Sequence, residues 1–426
     1  MLSRRGFVRL TTMAAATAVG SSAAPGENTP SLPPSLASLR SRRGEATPIT
    51  TEERRQRIER ARQLMGENRL DAILLTGGTS LAYFTGIRWW LSERLFAMVL
   101  PAKGHPFYVS PAFEEDRARE QIAAGPSGAD IDVRTWEEDE DPYLRILQGL
   151  RDRGLATAHL GMEETVRYVF SDGLAKSAPT LDIRSATPVT AGCRMIKTAN
   201  ELALMKLANE VTLAAFAATY QVLHPGMTQR QVEWLITAAH SQLGFSGEAG
   251  VQLGEFSALP HGSAKAQVIR ENQIVLIDGG CSVEGYQSDI SRTFVLGKPS
   301  DKMKRNFEIV YRAQQAALAA AQPGAGCEAV DAAARKVIGD AGYGPGYKYF
   351  THRLGHGIGM DGHEWPYLVR GNKLPLAVGM TFSDEPGIYL RGEFGVRLED
   401  DMVITREGGR LMTPQSRSLE DPFPAA

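Results

Sequence analysis

The chain has 426 residues, of which 43% are hydrophobic and 23% charged. This is the composition of a globular protein, and the length predicts about two domains. A formal net charge of -2, from 47 basic and 49 acidic residues, lacks the basic excess of nucleic-acid-binding proteins, so no nucleic-acid partner is expected. The three cysteines, Cys193, Cys281 and Cys327, are too few and too scattered for a disulfide framework or a cysteine zinc site. We expect them to be small buried residues.

The first 24 residues have a pattern typical of an export signal. Arg4 and Arg5 precede Phe7 and a short apolar run, and Ser22-Ala23-Ala24 offers small residues suited to cleavage. The range 1–24 resembles a twin-arginine signal peptide, which directs folded proteins to the export machinery and implies a periplasmic or secreted protein. The alternative is a disordered basic tail. No other segment approaches transmembrane length in this interpretation, so no membrane anchoring is expected.

A linker and an α/β domain are predicted next. Range 25–50 is rich in Pro, Ser and Arg and is interpreted as a linker. A helix is predicted to begin near Thr51, where a cap is followed by two acids. Short apolar runs alternate with helical segments and predict strands: AILLT, FAMVLP, HLGM and LDIRS. This alternation predicts an α/β domain over 51–190.

The range 191–420 has a different pattern. Apolar residues from Leu204 to Val222 follow helical spacing until Pro225-Gly226 ends the helix, and Thr228 with Gln231 forms a capping box for the next one. Another helix lies among segments that read as strands: QIVLID, ISRTFVLG, MTFSDEP and GVRLEDDMVIT. Strands that return as hairpins between helices predict an α+β domain with a mostly antiparallel sheet.

Two aspartates stand out in this second domain. Asp278 ends an apolar strand, and Asp289 follows a turn expected at Glu284-Gly285. In such a hairpin, cross-strand parity puts Asp278 and Asp289 on the same face, opposite or diagonal. Two facing carboxylates repel each other unless a cation or a shared proton lies between them. The alternative is that both merely edge the sheet in solvent.

Further ligand-type residues follow. Glu385 ends a strand before a Pro-Gly turn, Glu399 lies within an apolar strand, and the loop GHGIGMDGHEWPYL contains His356 and His363. A lone histidine is more often a core residue, but four carboxylates with one imidazole suit Mn²⁺, Fe²⁺ or Co²⁺, or else Zn²⁺. Four carboxylates would nearly neutralise two divalent ions about 3.5–4 Å apart.

At this point a family resemblance becomes specific. The chain from about Glu52 to Ile404 resembles the M24 metallopeptidases, the family of aminopeptidase P, prolidase and methionine aminopeptidase. The matching motifs are DISRTF, HRLGHGIG, EPGIY and GVRLED, together with the aspartate at 278. The resemblance implies an α/β creatinase-like N-terminal domain (51–190) and an α+β pita-bread catalytic domain (191–420). It implies two divalent metal ions, most simply Mn²⁺ with Co²⁺, Fe²⁺ or Zn²⁺ as alternatives, bound by Asp278, Asp289, His356, Glu385 and Glu399.

The same resemblance implies roles for residues beyond the ligands. His363 would face the substrate and His261 would contact the scissile peptide group, while His352 would line the pocket after the scissile bond. Tyr389 matches the tyrosine that follows the Glu-Pro-Gly turn, and Arg397 would orient carboxylates and contact substrate. For His352 and Arg397, plain structural support is the alternative.

The activity implied by the resemblance is hydrolysis of the Xaa-Pro bond at the N-terminus of peptides, of the aminopeptidase P or prolidase type. A hydroxide bridging the metals would attack, Glu385 would act as general base, and His363 would help to stabilise the oxyanion. The substrate would be a peptide with proline in second position. The alternatives are a metal-dependent hydrolase or lyase acting on a non-proline peptide or a non-peptide substrate, and a binding module without catalysis.

Quaternary structure is a final expectation. In the family, loops of the N-terminal domain reach a neighbouring subunit, so a homodimer or homotetramer is expected. Trp89, Trp90 and Arg94 crowd one such segment, GIRWWLSERLF. They would bind substrate in trans, or else serve only local packing.

Overall fold

The computed structural model describes residues 31–423, and these form two domains. The N-terminal domain is a six-stranded mixed sheet, in the order β4-β3-β2-β1-β5-β6, with helices on both faces. The short helix α1 (Pro34–Ala37) precedes this domain. The elements of the domain are α2 (Thr51–Glu67), β1 (Ala72–Thr76), α3 (Thr79–Thr85), β2 (Ala97–Pro101), β3 (Phe107–Pro111), α4 (Glu115–Ala123), β4 (Asp132–Trp136), α5 (Pro142–Arg151), β5 (His159–Met162), α6 (Tyr168–Ser177), β6 (Asp182–Ser185) and α7 (Thr187–Arg194).

The central strand β1 explains why this sheet is covered on both sides. Ile73 and Leu75 pack into a core cluster on one face, whereas Ala72 and Leu74 pack into a second cluster on the other. A strand buried on both faces reads as a continuous apolar run, which is why AILLT was recognisable in the sequence. The predicted α/β domain is therefore confirmed, and β3 and β4 add two strands that the sequence patterns did not reveal.

The C-terminal domain contains three antiparallel sheets, as the sequence predicted. Their strand orders are β10-β8-β7 with β9 beside β8, then β12-β11-β13-β16-β17, then β14-β15. The elements are α8 (Ala199–Tyr220), α9 (Gln229–Gln242), β7 (Ser246–Leu253), β8 (Ile274–Val283), β9 (Tyr286–Gln287), β10 (Ile290–Val295), α10 (Asp301–Ala320), α11 (Cys327–Ile338), β11 (Gly355–Gly357), β12 (Glu364–Leu368), β13 (Thr381–Asp384), β14 (Gly387–Leu390), β15 (Phe394–Arg397), β16 (Asp400–Thr405) and β17 (Gly408–Leu411).

Two helices of this domain begin at capping boxes. Thr228 accepts a hydrogen bond from the backbone N–H of Gln231 at the start of α9, as predicted, and Thr198 with Glu201 forms a second box at the start of α8. Helix α8 is long and apolar enough to cross a membrane by length and composition, which corrects the expectation that no further segment would be. Its apolar residues are largely buried, with Leu204 and Val211 in a core cluster shared with β8.

The predicted linker is more structured than expected in the part that the structure describes. Leu36 and Ile49 are buried in the core cluster of α8, and Arg42 pairs with Glu210 at 2.9 Å. These contacts fix 31–50 on the C-terminal domain. Apolar side chains such as Leu36 and Ile49 are stabilised when they leave water and pack on the apolar face of a helix. The range 1–24 and the rest of the predicted linker up to residue 30 lie outside the described residues.

Two segments near the predicted ligands differ from their sequence interpretation. The stretch from 355 to 368 is a strand, a turn and a second strand instead of one loop, and β11 pairs with β12 across a register shift after His356. The stretch GVRLEDDMVIT is divided between β15 and β16, which belong to different sheets. Glu399 lies between those strands and forms an isolated bridge with Ser291. The chain changes sheets at this ligand-type residue.

Candidate metal centre

The hairpin of β8 and β10 brings the two aspartates together. Asp278 pairs with Ser291, so Asp289, two residues earlier, points to the same face and lies diagonal to Asp278. One oxygen from each of Asp278, Asp289 and Glu399 lies within 4.8 Å of the others. The predicted same-face arrangement is confirmed in its diagonal form.

The remaining ligand-type residues come from the second sheet. His356 lies in β11 and Glu385 follows β13, and the His356 Nε2 atom is 3.4 Å from Glu385 Oε1 and 3.9 Å from Asp289 Oδ2. Glu385, Glu399 and His356 form a second group of ligand atoms within 4.8 Å. The five side chains therefore converge from strands far apart in sequence.

His363 also lies at this centre. Its ring stacks on that of His356, with centroids 3.6 Å apart and planes 18° apart, and a nitrogen of His363 falls within 4.8 Å of ligand atoms of Asp289 and His356. Distance alone therefore does not separate His363 from the ligands. The two histidines differ in exposure, since His356 is 2% exposed whereas His363 is an exposed residue.

The ionisable groups of the cluster are buried and closely spaced, and their pKa values are shifted accordingly. Burial, reinforced by the neighbouring carboxylates, raises the pKa of Asp289 and of Glu399 well above their ordinary values. Burial likewise raises the pKa of Glu385 to about 8. Burial lowers the pKa of His356 to about 3, with His363 adding to the effect, so the imidazole is neutral and its Nε2 is a competent donor to a metal. This donor set fits divalent cations of the Mn²⁺, Fe²⁺ or Co²⁺ type.

Arg397 provides the one cation that directly contacts the carboxylates among the described residues. Its Nη2 lies 2.6 Å from Asp278 Oδ2, and its Nε donates to Ser291 Oγ at 2.9 Å. The Ser291 hydroxyl in turn lies 2.7 Å from Asp278 Oδ1 and 2.5 Å from Glu399 Oε2. Burial alone would raise the pKa of Asp278, but Arg397 and Ser291 hold it below its ordinary value. Arg397 thus orients ligand carboxylates, the role expected of groups that support a metal site.

The other predicted residues lie on the Glu385 side of the cluster, where His352 Nδ1 is 3.7 Å from Glu385 Oε2. His352 Nε2 is 2.7 Å from the hydroxyl of Tyr389, which also accepts a hydrogen bond from Arg397 Nη1 at 3.1 Å. Burial lowers the pKa of His352 to about 3 and raises that of Tyr389 to about 12, so both are neutral hydrogen-bonding groups. His261 is exposed and follows Pro260, whose carbonyl oxygen accepts a hydrogen bond from Arg397 at 3.1 Å. The sequence-predicted residues are therefore brought together around one centre.

A cavity of about 600 Å³ opens directly onto the aspartates. Gly250, Gly280 and Gly362 leave parts of its wall without side chains, and Glu233 and Glu248 lie at its border. A Cβ atom at Gly250 would meet only the backbone oxygen of Asp278, at 3.9 Å. The space beside the metal-ligand face can hold a small peptide.

Comparison with known proteins agrees with this geometry. Residues 203–406 match the model of metallopeptidase family M24, and residues 57–196 match the creatinase/prolidase N-terminal domain. The chain is 35% identical over 369 residues to the Xaa-Pro dipeptidase of Lactobacillus delbrueckii subsp. lactis, covering 85% of this chain and 98% of that protein. The chain belongs to metallopeptidase family M24. Its two domains are thus a creatinase-like N-terminal domain and a pita-bread catalytic domain, as expected from the sequence.

Further M24 relatives resemble the chain over most of its length. The probable dipeptidase PepE of Mycobacterium bovis is 37% identical over 345 residues, which cover 80% of this chain and 88% of that protein. The crystal structure of dipeptidase PepE from Mycobacterium ulcerans matches with a TM-score of 0.81 and 35% identity, covering 88% of this chain and 99% of that one. The prolidase of Thermococcus sibiricus matches with a TM-score of 0.77 and 32% identity, over 86% and 98%.

Sequence reasoning missed several residues that shape this M24 site. Ser291 connects two ligand carboxylates and was overlooked inside DISRTF, although a serine next to a ligand strand was a usable signal. Arg194, Lys197, Asp361 and Glu364 form an ion-pair cluster beside His363, and they come from segments with no common pattern. Asp401, whose pKa burial raises to about 7, accepts a hydrogen bond from the backbone N–H of Asp289 at 3.1 Å.

Proposed function

We propose that this protein is a dinuclear-metal peptidase that hydrolyses the bond between an N-terminal residue and proline, in dipeptides or at the start of longer peptides. The convergence of Asp278, Asp289, His356, Glu385 and Glu399 carries the proposal, because their ligand atoms form overlapping groups within 4.8 Å. These five residues form two such groups that share Glu399, and two groups suit two neighbouring cations better than one.

The descriptions of the relatives support a dipeptide as the substrate of this protein. The Lactobacillus protein, matched over 98% of its length, is described as an Xaa-Pro dipeptidase, and the Thermococcus structure is described as a prolidase. The N-terminal domain contacts the catalytic domain beside His363, where Thr79 hydrogen-bonds Asp361 at 2.6 Å. A domain packed beside the site in this way supports a preference for dipeptides.

The bound ions would supply the chemistry of lowering the pKa of a water and polarising the scissile carbonyl. Glu385 has the position of the general base that takes the proton from the attacking water. As water adds to the carbonyl carbon and the C–N bond breaks, that proton passes to the leaving proline nitrogen. His363, which is exposed, donates a hydrogen bond to the developing oxyanion, and His261 holds the peptide group.

Proline fits such a site for a physical reason. The Xaa-Pro amide has no N–H, so peptidases that dock an extended strand through that group bind it poorly. Tyr389 is hydrogen-bonded to both His352 and Arg397, so these three side chains hold one another in place. They would form a rigid surface against which the proline ring of the substrate packs. Recognition through the carbonyl and through shape needs no amide donor.

The test uses matched peptides with Mn²⁺-loaded protein. We expect Leu-Pro and Ala-Pro to be cleaved, with Leu-Ala and Ala-Ala cleaved about tenfold or more slowly. Tripeptides Xaa-Pro-Yaa measure the preference for dipeptides. Glu385→Gln should abolish turnover, whereas Glu407→Gln, the same change on an exposed turn, should not. Equal cleavage of proline and alanine peptides, or cleavage of neither, would overturn the proposal.

A second candidate is a dipeptidase without proline restriction. The PepE relatives, among them the match with a TM-score of 0.81, are described as dipeptidases with no mention of proline. A metal-dependent hydrolase or lyase of non-peptide compounds would cleave none of these peptides. The same peptide panel therefore separates the candidates, since only the unrestricted dipeptidase would cleave Leu-Ala as fast as Leu-Pro.

We also propose that the protein is exported through the twin-arginine pathway and acts in the periplasm or outside the cell. The Arg4-Arg5 pair, the apolar run and the small residues at 22–24 support this. We further propose a homodimer or homotetramer in which the exposed Trp90 contacts a neighbouring subunit's site. Trp90 is 63% exposed, whereas Trp89 is buried and stacks on Phe96 at 4.0 Å, so Trp90 is the tryptophan of this pair that is available to a partner. The Arg94 side chain is 37% exposed and pairs with Glu138 at 2.7 Å.

A further inference from the structure

An ion-pair cluster connects the two domains directly beside His363. Arg194, at the end of α7, pairs with Asp361 at 2.5 Å and with Glu364, while Lys197 pairs with Glu364 at 2.7 Å. We call these four residues the interdomain cluster. Asp361 and Glu364 flank His363 closely in sequence, so both ends of the short segment that carries this histidine are held by cations from the N-terminal domain and the connection that follows it.

Three of the four side chains in the cluster are largely buried, Asp361 is 38% exposed, and the charges balance. The side chains of Lys197 and Glu364 are 2% and 6% exposed, and that of Arg194 is 12% exposed. Burial opposes the ionised form of Glu364, but Lys197 and Arg194 hold its pKa below the ordinary value. Two acids meet two cations, so no uncompensated charge is left. A buried set of this kind is costly to assemble and is weak evidence for stability, but it fixes geometry strongly.

Further contacts fix the same segment. The Thr79 hydroxyl donates to the Oδ1 atom of Asp361 at 2.6 Å, and Gln287 donates its backbone N–H to the carbonyl of Gly359 at 2.8 Å. A Cβ atom at Gly359 would come within 2.4 Å of the Glu364 Oε1 atom, so the backbone is pressed against the cluster. The segment 359–364 is therefore held on one side by the N-terminal domain and on the other by the hairpin that carries the aspartates.

We infer that Arg194 and its partners are positioning residues for His363, so that the N-terminal domain sets the place of a group that acts on the substrate. His363 has no hydrogen-bonding side-chain partner among the described residues that would orient it, and its ring is placed only by the stack on His356 and by its backbone. The backbone position is set by the interdomain cluster. The inference rests on the proposed role of His363 in catalysis.

The expected effect is on turnover more than on binding. A displacement of about 1 Å at a catalytic group costs about a hundredfold in rate. Arg194→Ala should therefore lower kcat about 10- to 100-fold and leave KM within about threefold, with metal content unchanged. Arg194→Lys keeps the charge but cannot reach both acids at once, and it should restore part of the rate.

The matched control is Arg134→Ala. Arg134 also bridges two aspartates, Asp132 at 2.9 Å and Asp152 at 2.7 Å, but on the N-terminal domain away from the cleft. It should leave kcat unchanged. If Arg194→Ala does not fold, Thr79→Val can replace it, because it removes one hydrogen bond to Asp361. It should also lower kcat with little change in KM, but by a smaller factor.

A double-mutant cycle with His363→Ala shows whether Arg194 acts by positioning His363 or by supporting the fold in general. If Arg194 acts through His363, Arg194→Ala should cost less than about threefold when His363 is already alanine. An equal loss in both backgrounds would overturn the inference while the Xaa-Pro activity of the unaltered protein stands. Absence of that activity in the unaltered protein would instead overturn the proposed function.

A readout independent of activity completes the test. In protein with labelled histidine rings, the His363 signal, assigned by its loss in His363→Ala, carries the ring-current shift of the stack on His356. Arg194→Ala should move this signal and Arg134→Ala should not. An unmoved His363 signal in Arg194→Ala would overturn the inference whatever the substrate of the enzyme.

Discussion

His240 makes the stability of the catalytic domain dependent on pH. It lies in α9, fully buried, with Nδ1 2.9 Å from the carbonyl oxygen of Ile236 and Nε2 3.3 Å from the Thr212 hydroxyl. Burial lowers its pKa from 6.5 to about 4. The folded protein therefore binds fewer protons at this residue than the unfolded chain does. The stability that results is fully present above pH 6.5 and is lost as the pH falls below it.

The magnitude follows from the two pKa values. At pH 5 the unfolded ring is protonated and the folded ring is not, and the pH is about 1.5 units below the unfolded pKa. At about 1.4 kcal/mol per unit, wild type loses about 2 kcal/mol of unfolding free energy through this residue. His240→Gln keeps hydrogen-bonding atoms but cannot take up a proton, so its stability should fall by about 2 kcal/mol less between about pH 7.5 and pH 5.

The measurement is urea unfolding followed by tryptophan fluorescence, with chelator present so that metal release does not contribute. His224→Gln is the control, because His224 is exposed. It should behave as wild type does. If wild type and His240→Gln lose the same free energy over this range, His240 is protonated in the folded protein and the reasoning is wrong.

Four further outcomes are expected. Asp289→Asn should lose metal, measured by elemental analysis, together with turnover, and full activity of chelated metal-free protein would contradict a metal-dependent enzyme. Trp90→Ala should lower turnover if this side chain acts in a neighbouring subunit, and a fully active monomer would exclude that. Replacing Arg4 and Arg5 with lysine should keep the enzyme in the cytoplasm, and unchanged periplasmic accumulation would refute export by this route. Gly250→Leu should fill the cavity and lower kcat/KM for Leu-Pro more than for Ala-Pro, and equal losses would show that the N-terminal residue lies elsewhere.

Three of the ligand-type carboxylates, Asp278, Glu385 and Glu399, could be identified in the sequence because each interrupts an apolar run. Glu385 directly follows the buried strand β13, whereas Asp278 lies in the middle of β8 and not at its end, as the apolar run had indicated. An ionised side chain is costly at both positions, and strand parity places Asp289 beside Asp278. The capping box at Thr228 was equally visible, since its chemistry is local. Features that depend on neighbours in sequence can be predicted from sequence.

What could not be predicted depends on long-range partners. The sequence analysis interpreted 395–405 as one strand, yet its halves join different sheets because β15 pairs with β14 and β16 pairs with β13. In the interdomain cluster, Arg194 at the end of α7 pairs with Asp361, which lies more than 160 residues later in the chain. No local sequence pattern predicts an ion pair between residues so far apart. The expectation that no further segment approaches transmembrane length was wrong for α8, although its helical pattern was predicted.

The division of the ligands between two sheets makes the centre a reporter of complete folding. Asp278 and Asp289 belong to the hairpin of β8 and β10, whereas His356, Glu385 and Glu399 come from β11 and the segments after β13 and β15. A ribosome has therefore made almost the entire catalytic domain before the last ligand leaves it. A chain that stops before residue 399, or whose sheets have not met, offers only part of the donor set. The amount of metal bound per chain would then measure the fraction of completely synthesised and folded molecules in a preparation.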